Sequence, residues 1–284
     1  MSQTALRGST VANLDLETAS DPTSQTIDRP TIALRIVQFG MLTGLVWKFG
    51  YFRIGDRVYH EIPLWQDFFP LWLQNPDVLR WSYITACVAT MLTAWITQGH
   101  WRTLAAALGV VSTSILCLHQ GTYNDMTFVT AWWCALWSLW LSMRMDRDDP
   151  DRLMEKAAHL GQTILAVVLL GGAAGKWTGE YWSGQVLYDI YFVDRNYWFF
   201  NFLRSSLETD DLRMVATGYS RFVVMTETIG SIVIWTLPPR LAALVGVLVF
   251  FSIAAMSNFW LFSVLNPLIA LASVGFLVRS QSRS

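Results

Sequence analysis

Residues 240–256, RLAALVGVLVFFSIAAM, decide the fold class of this chain, because these seventeen residues carry one charge, Arg240, at their first position. A helix of this length and composition matches the hydrocarbon thickness of a bilayer. Over all 284 residues, 53% are hydrophobic and 14% are charged, against about 25% charged residues in soluble proteins. The composition therefore excludes an ordinary water-soluble protein, and the formal charge of −1 supplies no basic surface for nucleic acid.

Seven further apolar blocks of similar length occur along the chain, so we predict an all-α, polytopic membrane bundle of about eight transmembrane helices. These blocks are 31–50, 79–97, 102–120, 127–144, 158–176, 213–236 and 257–278. Only Ser257 and Asn258 separate the last two spans, so a single kinked hairpin, or seven spans, stays open. The predicted transmembrane domain is 31–278, between a disordered polar tail (1–30), which is no signal peptide, and a polar C-terminal tail (279–284).

The Lys and Arg residues of the short loops predict the orientation of the bundle. The most basic short loop is 144–156, which we expect to lie in the cytoplasm. With eight spans, both termini are then cytoplasmic as well. Arginines also occur on the opposite side, but in long segments, where the rule is weak.

Two long segments on the non-cytoplasmic side, 51–78 and 177–206, are dense in aromatic residues and carry scattered charges. They are too polar to span a bilayer, so we predict interfacial or re-entrant helices there. Trp and Tyr favour the headgroup depth of a membrane, and such a belt accounts for most of the fifteen Trp residues. A belt does not explain why both segments fall on one side.

Ionisable residues inside the spans each need a partner or a function, because charge is costly in hydrocarbon. Arg35 and Lys48 lie near the ends of the first span, from where both side chains can reach the headgroups. Arg221 and Glu227 are six residues apart and therefore on different faces of one helix. Each is expected to find its partner on another helix, and Glu227 is either a functional group or half of a structural interhelical bond.

The short turn from His119 to Asp125, HQGTYND, brings two titratable groups together. Histidine changes its charge near neutral pH, and a carboxylate beside a membrane-embedded lysine can hold it charged or take its proton. The alternative is simple turn chemistry, since Gly121, Asn124 and Asp125 are common turn residues.

The strongest local signal is GGAAGKWTGEYWSG, which begins at Gly171. In a continuous helix, Gly171, Gly175 and Gly179 form a stripe on which another backbone can pack closely. Lys176 lies between glycines and tryptophans, where loss of water favours the neutral amine that can act as a base. The alternative is a lysine that ends a helix and reaches the headgroups, with Trp177 as an anchor.

This small-residue run, with Lys176, then Trp182 six residues on and Gly184 two beyond, resembles the signature of the horizontally transferred transmembrane (HTTM) domain. That domain is the membrane part of vitamin K-dependent gamma-carboxylase and its bacterial relatives. The hairpin at 122–128 resembles the carboxylase turn ahead of the lysine, and the likeness in layout covers most of 31–278. The resemblance implies about eight or nine helices in a bacterial cytoplasmic membrane, with a site open to the non-cytoplasmic side.

The resemblance also implies roles for individual residues. The matching lysine of the carboxylase deprotonates reduced vitamin K, so Lys176 takes the base role, with Asp125 or Glu180 assisting. The implied cofactor is a quinone or hydroquinone, and no metal is expected. The ligand-binding residues that we predict are Tyr123, Asn124, Trp177, Trp182, Arg221 and Glu227.

Glutamate carboxylation itself is not expected. Met126 stands where the carboxylase turn has a histidine, and Ser257–Asn258 stand where many relatives have one. The sequence ends six residues after the last predicted span, so we expect no counterpart of the large luminal domain of the carboxylase. A quinone- or lipid-linked redox role, or no catalysis, is expected instead.

Three function hypotheses follow. An enzyme would use Lys176 on a membrane-soluble quinone or lipid beneath the two aromatic segments. A scaffold would be a non-catalytic accessory subunit of a larger membrane complex, its Lys and Glu groups joining helices. A transporter is third, because no inverted repeat relates the two halves. The expected partners are membrane lipid and membrane-protein subunits. The cysteines lie in apolar blocks without a zinc or disulfide pattern.

Overall fold

The computed structural model describes residues 28–62 and 66–279. All regular secondary structure in these ranges is helical, which confirms the all-α prediction. Of the two predicted tails, residues 1–27 and 280–284 lie outside the described residues. In chain order the α-helices are α1 (Arg29–Glu61), α2 (Pro76–Trp95), α3 (Gly99–Leu118), α4 (Met126–Arg144), α5 (Pro150–Ala174), α6 (Gly179–Trp182), α7 (Gln185–Leu187), α8 (Trp198–Ser206), α9 (Thr209–Thr236), α10 (Pro239–Met256) and α11 (Phe262–Ser273). A π-helical turn covers Tyr188–Asp194, and 3-10 turns cover Leu71–Gln74, Gln120–Thr122 and Val274–Leu277.

The long helices begin at residues that cap them. The side chain of a capping Asp or Asn accepts a hydrogen bond from a backbone N–H of the first turn, which otherwise has no partner. Proline then occupies the first turn of α1, α2 and α5, where it has no hydrogen bond to lose. The caps of α1, α2, α4 and α5 are Asp28, Asn75, Asp125 and Asp149.

Helix α1 is longer than the predicted span 31–50. Its 33 residues correspond to a length of about 50 Å. The helix continues past residue 50 because Phe52, Asp56 and Tyr59, spaced at helical intervals, stay buried against the rest of the bundle. Residues 51–61 of the predicted interfacial segment 51–78 are therefore the last turns of α1, not a separate helix.

The core lies where α1 packs against α2, α4 and α11, while α5 packs on α9. Trp137 of α4 is fully buried, and its indole N–H donates to the carbonyl oxygen of Ala157 in α5 at 2.9 Å. Gly44 of α1 permits the close approach of α11, since a Cβ there would lie 2.8 Å from the carbonyl oxygen of Ser263. These contacts join α4 to α5 and α1 to α11.

Ser257 and Asn258 separate two antiparallel helices. Arg240, at the start of α10, donates its Nε hydrogen to the carbonyl oxygen of Val278, beyond the end of α11, at 2.9 Å. The turn between them holds Asn258 and Phe259 at φ values of 52° and 59°. The last apolar stretch is thus a hairpin rather than one continuous helix.

Five helices in the described ranges are long and apolar enough to cross a membrane: α1, α3, α4, α5 and α10. Helix α11 and the 3-10 turn that follows it form a shorter apolar helix, Phe262–Leu277. Such a set of helices is typical of an integral membrane protein.

The two ends of the bundle differ in chemistry. At one end, Arg29 and Arg279 both contact Asp151, at 3.3 and 2.9 Å. At the other end, the ring of Trp260 contacts both aromatic segments: Tyr51 lies 5.0 Å away between ring centroids, and the Arg195 guanidinium lies 5.6 Å from the Trp260 centroid. Both aromatic segments therefore reach the same end, opposite Asp151. We call this the aromatic end.

Candidate functional site

Lys176 lies at the aromatic end, in the turn that follows α5. Gly175 ends the helix, and the backbone N–H of Lys176 donates to the carbonyl oxygen of Ala173 at 2.8 Å. The next residues fold back over α9, whose polar side chains hold them. The side-chain donors to backbone carbonyls within 181–183 are Thr217, Ser220 and Arg221.

The Lys176 ammonium pairs with the carboxylate of Glu227 in α9. Lys176 Nζ lies 2.6 Å from both Oε1 and Oε2 of Glu227, and only 24% and 16% of the two side chains are exposed. Glu227 thus has a partner outside its own helix. An ammonium group has three N–H donors, so one stays available after the two bonds to Glu227.

The predicted glycine stripe is wrong. Helix α5 ends at Ala174, and a Cβ at Gly171 or Gly179 would meet no atom within 4 Å, so no second backbone packs there. Gly172, outside the stripe, faces the ion pair instead: a Cβ there would lie 3.4 Å from Glu227 Oε2 and 3.7 Å from Lys176 Nζ. The small residue keeps space open beside the pair.

A cavity of about 160 Å³ opens beside the ion pair. An apolar cavity of about 150 Å³ holds one benzene molecule, so this cavity accommodates a single six-membered ring. Its polar lining consists of Lys176, Glu227, Ser257 and three tyrosines, Tyr181, Tyr191 and Tyr219. Its apolar lining consists of Leu187, Phe200, Val223, Ile253, Met256 and Leu261.

The aromatic segment 177–206, which the enzyme hypothesis placed over Lys176, supplies much of this lining, whereas segment 51–78 supplies none of it. The tyrosines among these residues were not singled out from the sequence. Burial raises the pKa of the Tyr181 and Tyr191 phenols, and the charge of Glu227 raises both further. Both phenols are therefore protonated at neutral pH and can donate a hydrogen bond to a ligand. The only sequence signal was the density of aromatic residues, which also suits a membrane-interface belt.

Trp177, Trp182 and Arg221 lie beside the cavity and are not part of its lining. The two indole rings stack with centroids 5.1 Å apart, and the Arg221 guanidinium lies 5.6 Å from the Trp182 ring centroid. Trp177 also donates its indole N–H to Thr228 Oγ1 at 3.1 Å. This stack fixes the outer face of the loop that carries Lys176.

Asp125 belongs to a second ion pair. Its Oδ2 lies 2.6 Å from Lys48 Nζ, and its Oδ1 accepts the backbone N–H of Thr127 at the start of α4. Tyr123 and Asn124 lie in the same turn, where Asn124 has φ 60° and the Tyr123 ring contacts Phe69. Asp125, Tyr123 and Asn124 do not line the Lys176 cavity. Asp125 instead pairs with α1 and caps α4.

Glu180 also lies away from the cavity. It occupies the first turn of α6, is exposed, and forms no ion pair with the residues that the structure describes.

His119 is buried, with Nε2 donating to the carbonyl oxygen of Asn75 (2.9 Å) and Nδ1 accepting the N–H of Gly121 (3.1 Å). This hydrogen-bond pattern needs a neutral imidazole, and burial lowers the His119 pKa, which favours that form. The role of His119 is therefore structural: it joins the backbone at Asn75 to the turn at Gly121.

Within 28–62 and 66–279, no group of three or more His, Cys, Asp or Glu residues is placed to hold a metal ion. The donor set at Lys176 instead suits an organic ligand with a polar ring oxygen, because ammonium and phenol groups donate while carboxylate accepts. No family model, curated protein or solved structure matches the chain.

Proposed function

We propose that this chain is an HTTM-like integral membrane protein that binds the ring of a quinone or hydroquinone, or a lipid head group of similar size, in the Lys176 cavity. One observation carries the proposal: a partly buried ammonium–carboxylate pair opens into a cavity of about 160 Å³, the size of a single ring. Phenol donors line the same space. Purely structural ion pairs do not need such a cavity beside them.

The residues of the cavity can hold and move a proton at a ring oxygen. The third N–H of Lys176 is free to donate to that oxygen, and the Glu227 carboxylate keeps lone pairs that can accept a proton from a ring hydroxyl. The Lys176 ammonium then stabilises the negative charge left on the oxygen. In this arrangement Glu227 takes the base role that the resemblance implied for Lys176, and Lys176 stabilises the charge; Asp125 and Glu180 take no part.

The membrane arrangement is part of the proposal. Helices α2 and α9, and α11 with its 3-10 turn, would bring the five apolar helices to eight spans. The aromatic end would then face away from the cytoplasm, and both termini would be cytoplasmic, in a bacterial cytoplasmic membrane. Segment 177–206 would lie at the headgroup depth and cover the cavity.

A binding titration with a short-chain benzoquinone tests the proposal on detergent-purified protein. Lys176→Met removes the donor and should weaken binding by about tenfold or more, since a hydrogen bond to a charged group contributes about 1.5–3 kcal/mol. Lys48→Met is the matched control, because Lys48 is also 24% exposed and also pairs with a carboxylate at 2.6 Å. Equal affinity in wild type and Lys176→Met would contradict the proposal.

A second candidate is a non-catalytic accessory subunit of a membrane complex. The observation in its favour is an open groove of about 620 Å³ between α1 and the turn before α11, lined by exposed aromatic rings. Trp47, Tyr51 and Trp260 are each about half exposed there. A stoichiometric protein partner, together with tolerance of Lys176→Met, would favour this function over ligand binding.

A further inference from the structure

A separate groove of about 470 Å³ lies between α1 and α2 at the aromatic end. It shares no lining residue with the Lys176 cavity. One wall is a single face of α1 that carries Arg53, Asp56 and Arg57, and the opposite wall carries Arg80 and Ile84 of α2. The groove thus combines several charges with apolar walls.

Three arginines, Arg53, Arg57 and Arg80, line this groove together with two carboxylates, Asp56 and Glu61, so its positive charges are only partly balanced. Arg80 is bound to Asp56, with Nε and Nη2 at 3.2 and 2.9 Å from Oδ2. Arg53 and Arg57 are exposed, four residues apart on one face of α1, and neither forms an ion pair in the described ranges. Like charges at this spacing destabilise a helix, so an anion bound between them would relieve the repulsion.

A polar atom at the floor of the groove also lacks a partner. Only 10% of the Asp56 side chain is exposed, and its Oδ1 accepts no hydrogen bond from the described residues. His60 Nδ1 lies 3.4 Å from this oxygen and instead bonds the backbone oxygen of Asp56 at 2.8 Å. A buried carboxylate oxygen without a donor is costly, which points to a ligand that brings one.

The polarity of the groove changes in one direction. Phe49 and Ile84, both exposed, line its end towards the middle of the bundle. Arg53 and Arg57 follow along α1, about 6 and 12 Å beyond Phe49. Below Ile84, α2 presents an exposed apolar stripe that continues with Val88 and Met91. The apolar surface followed by the cationic site matches the acyl chain of a phospholipid followed by its phosphate.

We propose that this groove binds one glycerophospholipid, with its phosphate between Arg53 and Arg57 and an acyl chain along Ile84, Val88 and Met91. Guanidinium groups bind phosphate oxygens through charge-assisted, paired hydrogen bonds. Asp56 Oδ1 accepts a hydrogen bond from the headgroup, which selects phosphatidylethanolamine or phosphatidylglycerol over phosphatidylcholine, whose quaternary ammonium has no N–H. The site holds a structural lipid and is independent of the ligand at Lys176.

Native mass spectrometry of the delipidated, detergent-purified protein, with dioleoyl phosphatidylethanolamine added back, tests this proposal. Arg53→Gln/Arg57→Gln should lower the affinity about 30-fold, from the loss of two arginine contacts to one phosphate. Arg147→Gln/Arg152→Gln removes the same charge from exposed arginines at the opposite end and should leave the affinity unchanged. Circular dichroism checks that both double variants keep their helices.

Three further probes identify what the groove recognises. Dioleoylglycerol, which lacks the phosphate, and glycerol 3-phosphate, which lacks the chains, should both bind far more weakly than the phospholipid. Phosphatidylcholine should bind more weakly than phosphatidylethanolamine. The proposal would be overturned if Arg53→Gln/Arg57→Gln bound the lipid as well as wild type does, if Arg147→Gln/Arg152→Gln lost as much affinity, or if dioleoylglycerol bound equally well. Tight binding of glycerol 3-phosphate would also overturn it and would identify a site for a free phosphate compound.

Discussion

The ion pair between Lys176 and Glu227 allows a quantitative prediction. Lys176→Met leaves the Glu227 carboxylate, 16% exposed, without the two hydrogen bonds that neutralise it. Removing one partner of a buried pair costs about 3–5 kcal/mol. The partial exposure of both side chains lets solvent recover some of this, so we expect each single variant, Lys176→Met or Glu227→Gln, to lose about 2–3 kcal/mol of unfolding free energy.

The double variant Lys176→Met/Glu227→Gln should lose only about 1–2 kcal/mol of unfolding free energy. Both new side chains are neutral and close in size to the ones they replace, so no unpaired charge is left. The two single losses minus the double loss then give a coupling free energy of about 3.5 kcal/mol between the two positions. Lys176→Met combined with Asp125→Asn provides the contrast: Asp125 pairs with Lys48, so these two changes should be additive.

Unfolding by sodium dodecyl sulfate in mixed micelles, followed by far-UV circular dichroism, measures the unfolding free energies of wild type, the three single variants and the two double variants. Additivity between Lys176→Met and Glu227→Gln would refute the pairing derived from the structure. Strong coupling between Lys176→Met and Asp125→Asn would instead support the partner that the sequence suggested. A thermal shift of about 5–10 °C for each single variant is the expected companion result.

Three further predictions concern the surroundings of the site. Burial lowers the folded-state pKa of His119, so as the pH falls the unfolded chain binds a proton before the folded protein does. The contribution of His119 to stability is therefore complete above about pH 6.5 and decreases below it. His119→Gln should flatten this dependence when unfolding is measured from about pH 5 to 7.5. Gly184→Ala should lower the unfolding free energy by about 1–3 kcal/mol, because Gly184 has φ +83° and a Cβ there would overlap the backbone of Thr217. Limited proteolysis within 177–206 should then become faster. Gly179→Ala is the control, because a Cβ at Gly179 has open space around it, and proteolysis should not change. Val223 lines the cavity, so Val223→Trp should fill it and abolish benzoquinone binding while both charged groups remain. Retained binding would argue against the cavity as the ligand site.

The positions of the long helices could be predicted because each contains an apolar block of bilayer length. Their ends could not, where a helix continues through polar residues. Helix α5 begins at Pro150, two turns before the predicted span at 158, because Asp149 caps it and its first turns are polar but helical. Helix α1 likewise continues to Glu61. Hydropathy reports burial in lipid, whereas the helix ends where its capping and packing end.

The candidate site was predictable in part. The cost of charge in hydrocarbon singled out Lys176 and Glu227, and the six-residue spacing from Arg221 showed that Glu227 needed a partner on another helix. The pairing itself could not be read from the sequence, because the partners are 51 residues apart and meet only where the loop after α5 folds over α9. Asp125 was an equally reasonable carboxylate until the structure placed it on Lys48.

The tyrosines that line the cavity could not be predicted for a different reason. Tyr181 and Tyr191 belong to a segment in which most aromatic residues are exposed or pack among themselves. Nothing in the local pattern distinguishes a tyrosine that lines a cavity from one that lies at a membrane interface. The distinction depends on α9 and on the turn between α10 and α11, which lie far away in sequence.

Mass spectrometry of the protein purified gently from its native membrane tests the central claim most directly, with co-purifying polypeptides and the organic extract measured together. We expect a near-stoichiometric quinone or isoprenoid in wild type and Lys48→Met, and its absence from Lys176→Met. Stoichiometric protein subunits without any such compound, or the same compound retained by Lys176→Met, would contradict a ligand site at the Lys176–Glu227 pair.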